Sequence, residues 1–321
     1  MKVLAALRGS KRRPAWVAPM VALVVVYALL AVLTPEHSFL RPQVLLTIAR
    51  QTVVVAICAL GMTLVIVTGG IDLSIGSLVA LTTVIVARLL KSGSSPVTAL
   101  VTAVAVSTAV GALIGVFVGR LRMWPFIVTL AAMVILRGSA VGLASEQKID
   151  CDPRGLDRVL EASFSSPGVW IALALAVLVT GLLGYTRFGR HVVAVGSNEK
   201  AALLCGVDTC RVQILVYALS GLLVGIAGVM EFSTLTVGDP TDSVGLELEV
   251  IAAVVIGGAP LTGGQGSILG SVLGALLMTV IRTGAVHMGM PSWVQLIVTG
   301  IILILAVSEV VDHIRRRLAR A

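Results

Sequence analysis

Ten runs of apolar residues, separated by short polar stretches, dominate this chain. They fall at residues 15–34, 47–68, 73–90, 97–119, 126–144, 169–184, 213–237, 248–258, 267–283 and 293–311. A helix needs about 20 mostly apolar residues to cross a bilayer. In lipid the backbone must satisfy its own hydrogen bonds, so runs of this length become helices. The expected fold class is all-α and polytopic: about ten transmembrane helices in one domain over 1–321, with a membrane core at 14–313. The eighth run is too short for a straight crossing and must be broken, tilted or re-entrant. Two soluble domains would fit 321 residues. Composition rejects them, because apolar residues make up 57% and charged residues 12%, about half the usual soluble share.

The charges then orient the chain. Ten crossings put both termini on one side. Of the 24 Lys and Arg, 15 fall on that side: Lys2 to Arg13, Arg120 and Arg122, Arg187 to Arg211, and Arg315 to Arg320. Six fall on the other, at Arg41, Arg88, Lys91, Lys148, Arg154 and Arg158. Positive residues mark cytoplasmic loops, so the N- and C-termini of this multi-pass chain are expected in the cytoplasm. The polar, acidic stretch 145–168 becomes an extracytoplasmic loop and the basic stretch 185–212 a cytoplasmic one. The net charge of +8 sits in loops rather than in a stripe, which excludes nucleic acid as a partner. The first apolar run, after Lys11, Arg12 and Arg13, is too long for a signal-peptide core and is expected to stay as a helix. Four cysteines show neither disulfide nor zinc spacing and are expected to be unpaired.

No phosphate-binding loop, metalloprotease motif or nucleophile elbow is present, so the chain is not expected to be an enzyme and no cofactor is implied. Three polar motifs remain. Gly69-Gly70-Ile71-Asp72-Leu73-Ser74 breaks two apolar runs with almost no polar spacer. Asp72 or Ser74 can cap the next helix, and an acid at membrane depth is also a candidate pathway residue. Ser197 or Asn198, followed by Glu199, Ala201, Ala202, Leu203 and then Gly206, reads as a capped helix of about two turns outside the bilayer. It exposes alanines and leucines, as a docking element does. Gly257 to Gly266 holds five glycines and one proline, so it is not an ordinary helix. Irregular backbone at this depth is tolerated against protein or a water-filled cavity, which makes Gly258 and Gly264, with Gly70, candidates for the pathway. TGGIDLSIGS from Thr68 and TGGQGSILGS from Thr262 form a weak internal echo of the kind transporters carry. Glycines four apart (Gly111, Gly115, Gly119; Gly221, Gly225; Gly266, Gly270, Gly274) predict close helix packing. Arg137, Arg282 and His287 are expected to snorkel to the outer surface.

With these residues in view, the chain resembles the permease subunits of bacterial sugar ATP-binding-cassette (ABC) importers of the ribose, xylose and galactose type. The matching pieces are Gly61–Ser77, Phe126–Gly138, Arg187–Val207 and Glu247–Leu276, in order along nearly the whole chain. The resemblance implies a second permease subunit, identical or paralogous, and an extracytoplasmic sugar-binding protein. It also implies a cytoplasmic ABC ATPase subunit that binds the short helix around Asn198–Gly206. Membrane lipid surrounds the assembly. The competing expectation is a secondary sugar transporter working without an ATPase. It would need ion-coupling acids in mid-membrane, where only Asp72 and Glu231 come near. Which sugar is carried is not legible in these motifs.

Overall fold

In the computed structural model, which describes residues 16–34, 39–161 and 166–318 with side chains through 305, every apolar run forms a helix. In chain order these are α1 (Val17–Leu33), α2 (Pro42–Val67), α3 (Ile75–Lys91), α4 (Pro96–Gly119), α5 (Pro125–Leu143) and α6 (Pro167–Tyr185). Two further helices follow, α7 (Arg187–Ser197) and α8 (Glu199–Leu204), and then α9 (Thr209–Leu235), α10 (Leu246–Ile256), α11 (Ile268–His287) and α12 (Ser292–Leu318). Proline opens α2, α4, α5 and α6. Its missing N–H costs nothing there, and its fixed φ suits the first turn. Among the described residues, six helices are long and apolar enough to cross a membrane: α2, α4, α5, α6, α9 and α11. Lys2, Arg8, Lys11, Arg12, Arg13 and Arg320, and the side chains of Arg315–Arg317, lie outside the described residues.

The centre of the molecule is α2. Residues 53–67 are buried without a break, on all sides of the helix. Around it pack α9, α11 and α10, and α9 in turn packs along α4 and α3. Glycine sets the closeness of these contacts. A methyl group on Gly115 would lie 2.7 Å from the Ile214 Cα, and one on Gly119 would lie 2.9 Å from the Cys210 carbonyl oxygen. On the other helix, Gly225 faces Ser107 and Val104. The four-residue spacing therefore does build the α4–α9 seam, because i and i+4 share one helix face. The third set works the same way: Gly270 and Gly274 of α11 abut the carbonyls of Gly257 and Ala253.

The outer faces are apolar. Val24, Val32, Val134, Val177 and Ile304 are each more than 60% exposed. A soluble protein would bury such residues, whereas a chain whose surroundings are lipid need not.

The short eighth run behaves as its length demands. α10 has 11 residues, about 16 Å of helix against roughly 30 Å of hydrocarbon. Before it, β2 (Val237–Gly238) pairs antiparallel with β1 (Ile149–Asp150) of the 145–168 stretch. The chain then runs back along α3. Gly238 abuts Val84 and Ala87 near the end of α3, whereas Ser243 and Glu247 abut Gly76 near its start. The segment between is re-entrant, and α10 begins far inside the bundle.

Candidate functional site

The three polar motifs meet at one end of the bundle, the end that carries α7 and α8. The meeting is made of main chain. The Gly264 N–H donates to the Val67 carbonyl at 2.9 Å, which ties the Gly257–Gly266 loop to the last turn of α2. A methyl on Gly263 would lie 2.8 Å from the Gly69 nitrogen and 3.1 Å from the Gly196 carbonyl oxygen. One on Gly264 would lie 2.7 Å from the Ser197 Oγ, and one on Gly196 would overlap the Val67 carbonyl oxygen. Gly69 and Gly263 both take a left-handed φ, +84° and +80°, which glycine adopts without strain. The two Thr-Gly-Gly halves of the internal echo thus face each other across this crossing, with the end of α7 wedged between them.

α8 leaves the crossing directly. The Asn198 side chain accepts from the Ala201 N–H at 3.0 Å, so Asn198 is the cap. Ser197 is not, since its hydroxyl donates back to the Val193 carbonyl at 2.8 Å. Gly206 closes the helix with φ +81°, and the Val207 N–H reaches the Ala202 carbonyl at 3.0 Å, in the manner of glycine helix ends. Asn198, Glu199, Ala201, Leu203 and Gly206 are exposed, whereas Ala202 is buried. Leu204 is 89% exposed. An isolated leucine in that state is unremarkable, but here it sits beside Leu203, exposed at 51%, on a helix projecting from a membrane domain.

α7 is absent from the sequence reading, which takes 185–212 as a loop with one short helix. Thr186 caps it, its hydroxyl accepting from the Gly189 N–H at 3.1 Å. The signal was present: Phe188, Val192 and Val195 recur at four and three residues, and Val192 and Val195 are buried.

Asp72 is 5% exposed. Its carboxylate accepts from the Ser74 N–H at 2.9 Å and from the Ser74 hydroxyl at 2.6 Å. Ser74 stands at the N-cap position, but neither its side chain nor that of Asp72 accepts from the N–H groups of α3. Asp72 closes a turn ahead of α3, and Ser74 donates to it rather than accepting from the helix. Gly70 stands beside the Tyr217 hydroxyl; a methyl there would lie 2.5 Å from it. Gly258 closes α10 with φ +93° and is exposed.

Charged side chains organise the opposite end, where Arg137, Arg282 and His287 each have a protein partner. Arg137 donates to the Pro240 carbonyl at 2.9 Å and to the Asp242 carbonyl at 2.7 Å, clamping the re-entrant segment. Arg282 pairs with Glu249 of α10 at 3.4 Å. His287 Nδ1 lies 2.9 Å from the Thr283 carbonyl oxygen, and its ring stacks edge-on against Phe39. Sequence reasoning misses the partners of Arg137 and Arg282, and the Phe39 ring beside His287, because each lies tens of residues away. Further out, Lys148 pairs with Asp239 at 2.8 Å beside the β1–β2 ladder. Burial pushes the Asp239 carboxyl up, but hydrogen bonds from Lys148 and Thr241 and the Lys148 charge outweigh it and hold the group below its usual value. The hydrogen bond to Asp239 and its charge raise Lys148. All four cysteines are free.

Residues 44–307 match the family model described as branched-chain amino acid transport system / permease component. The chain is 39% identical over 298 residues to the ribose import permease protein RbsC of Bacillus subtilis, covering 90% of each chain. It is 37% identical over 294 residues to the protein of the same name in Escherichia coli K12, covering 90% of this chain and 91% of the relative. To the L-arabinose ABC transporter permease protein AraH of Azospirillum brasilense it is 36% identical over 305 residues, covering 92% and 87%. No solved structure matches the chain. A bundle of membrane-length helices and a family match running from α2 into α12 agree: this chain belongs to the permease-component family of ABC transport systems.

Proposed function

We propose that this chain is the membrane-spanning permease subunit of an ABC importer that moves a monosaccharide into the cell. The names of its relatives, import permeases for ribose and L-arabinose, support the substrate class. In this reading ten helices cross the inner membrane, α10 with its re-entrant lead counting as one, and the α7–α8 end faces the cytoplasm. Residues 145–168 then face the sugar-binding protein outside. The chain holds no ATPase machinery, so a cytoplasmic ABC ATPase subunit supplies the energy. A second permease subunit completes the pathway.

The observation that carries the mechanism is the main-chain crossing of Gly69, Gly196, Gly263 and Gly264 directly beneath α8. We assign α8, residues Asn198 to Gly206, as the element the ATPase grips. The exposed Leu203 and Leu204 are its apolar contact, and Glu199 is a charged one. Ser197 and the buried Ala202 set the seat of the helix. When the ATPase moves α8, no flexible side chain lies between Gly196 and the two Thr-Gly-Gly turns to absorb the movement. The turn at Gly70, Asp72 and Ser74 leads into α3, and the loop at Gly258 to Gly264 joins α10 to α11. Both are carried along, and with them the helices that wall the pathway.

The test is reconstitution. The chain is placed in liposomes with its cognate ATPase subunit and binding protein, and uptake of radiolabelled D-ribose and L-arabinose is followed. Uptake of one sugar that requires ATP, the ATPase and the binding protein is the expected result. Uptake by the chain alone, driven by an ion gradient, would overturn the proposal in favour of secondary transport.

A further inference from the structure

A cavity of about 440 Å³ opens between α8 and the Gly69–Gly70 turn. That lies within the roughly 300–1,000 Å³ usual for small-molecule pockets, and it exceeds what one intruding side chain fills. Its walls come from four separate stretches of chain. Gly70 and the start of α9 form the floor, the α4–α5 turn supplies Trp124, and α8 supplies Glu199 and Leu203; Gln213 projects from α9.

The floor carries an unmet requirement. The Tyr217 side chain is only 1% exposed, yet its hydroxyl has no hydrogen-bond partner. It stands next to Gly70, and both residues line the cavity. A buried hydroxyl without a partner costs about 1–3 kcal/mol, so this position is held for something that enters the cavity. The wall chemistry indicates what. An amide, a phenol, the Glu199 carboxylate and the cations Arg122 and Lys200 offer both donors and acceptors. Trp124, 77% exposed, presents a flat indole on which the C–H face of a sugar ring can lie. That combination suits a polyol, whose hydroxyls donate and accept at once, better than an apolar chain.

We infer that this cavity is a monosaccharide site on the α8 face, where imported sugar rests against the same short helix that the ATPase grips. The inference rests on the proposed function and adds a site to it. Sugar bound here shares a wall with α8, so the product of import restrains the element that drives it. Tyr217 and Gln213 are the residues that read the hydroxyls.

The experiment uses the permease–ATPase complex in nanodiscs, without the binding protein, and measures equilibrium binding of radiolabelled D-ribose and L-arabinose. Saturable binding of the transported sugar is expected. The Tyr217→Phe variant removes one oxygen and leaves the ring; it should weaken binding about three- to tenfold, and Gln213→Ala should do the same. Tyr217→Phe is also assayed for ATP-driven uptake, which shows that it folds. In the parent complex, sugar preloaded on the α8 side should slow ATP hydrolysis, with the variants relieved of this effect. A complex that imports a sugar yet binds none of it without the binding protein overturns the site and leaves the proposed function standing. Binding to the permease alone that vanishes when the ATPase is added also overturns it, because the cavity is then a socket for that subunit. Failure of every sugar in the uptake assay itself overturns the function, and the site with it.

Discussion

At the α7–α8 end the chain is joined by glycines and main-chain contacts; at the opposite end it is joined by charges. The crossing of Gly69, Gly196, Gly263 and Gly264 brings backbone against backbone, with the short Ser197 side chain against Gly264 and no titrating group. The far end relies on Arg137 over the re-entrant segment, Arg282 with Glu249, and Lys148 with Asp239. A backbone contact transmits a displacement whole, because it has no soft side-chain torsion to take it up. A charge pair can be exchanged for water or for another partner and then remade. The end nearest the short exposed helix is therefore built to move as one body, and the far end to release and re-form.

The largest expected effect breaks the first half of this comparison. In an ordinary helix Gly→Ala is stabilising by roughly 0.5–1 kcal/mol. Gly196 lies within α7, yet a methyl there would overlap the Val67 carbonyl oxygen. Gly196→Ala should therefore reverse the usual sign and destabilise by about 2–3 kcal/mol, read as a lowered melting temperature with uptake lost. A neutral or stabilising result would mean that the crossing is loose. The second effect tests the charged end. Arg137→Met keeps the bulk and strands the Pro240 and Asp242 carbonyls, at a cost of about 2 kcal/mol. Faster hydrogen exchange should then appear in residues 239–245, with the α7–α8 end unaffected. Exchange spreading to α8 would show that the two ends are not separable.

The smallest effect is a pH dependence of the β1–β2 ladder. Asp239 is held below its ordinary value, so the stability it contributes is present above that value and is lost as pH falls through the depressed one. Lys148 is raised, so its share is present below the ordinary lysine value and is lost only as pH rises past the raised one. Protection of the amides at Ile149 and Gly238, partners in the ladder, should stay constant across neutral pH once the intrinsic rate is divided out, and should fall only below about pH 4. Lys148→Ala narrows the gap between the folded and ordinary values of Asp239, so it should shrink this acid effect and leave α8 unchanged.

What the sequence discloses follows the same division between local and distant. The apolar runs, each of which forms a helix, are legible because hydropathy is a property of consecutive residues. So are the cap at Asn198 and the stop at Gly206, since cap chemistry acts within one turn. The glycine spacing in α4 and α9 announces a seam, although the partner helix has to be seen. Each polar motif is visible alone, but that Gly69, Gly196 and Gly263 touch follows from the packing of α2, α7 and the α10–α11 loop. Arg137 was read as snorkelling because its true partners lie more than 100 positions away. The depth at which α10 begins is likewise set by α3, which no local pattern reveals.

The central claim is that α8 is the handle by which an ATPase moves the glycine crossing. Leu204 tests it most directly, since at 89% exposure its replacement should leave the packing of the bundle intact. In proteoliposomes with the cognate ATPase and binding protein, Leu204→Glu should reduce ATP-driven sugar uptake at least about tenfold, the effect of losing about 1.4 kcal/mol of docking, with the melting temperature of the permease unchanged. Full uptake in that variant, at the same melting temperature, would contradict the account.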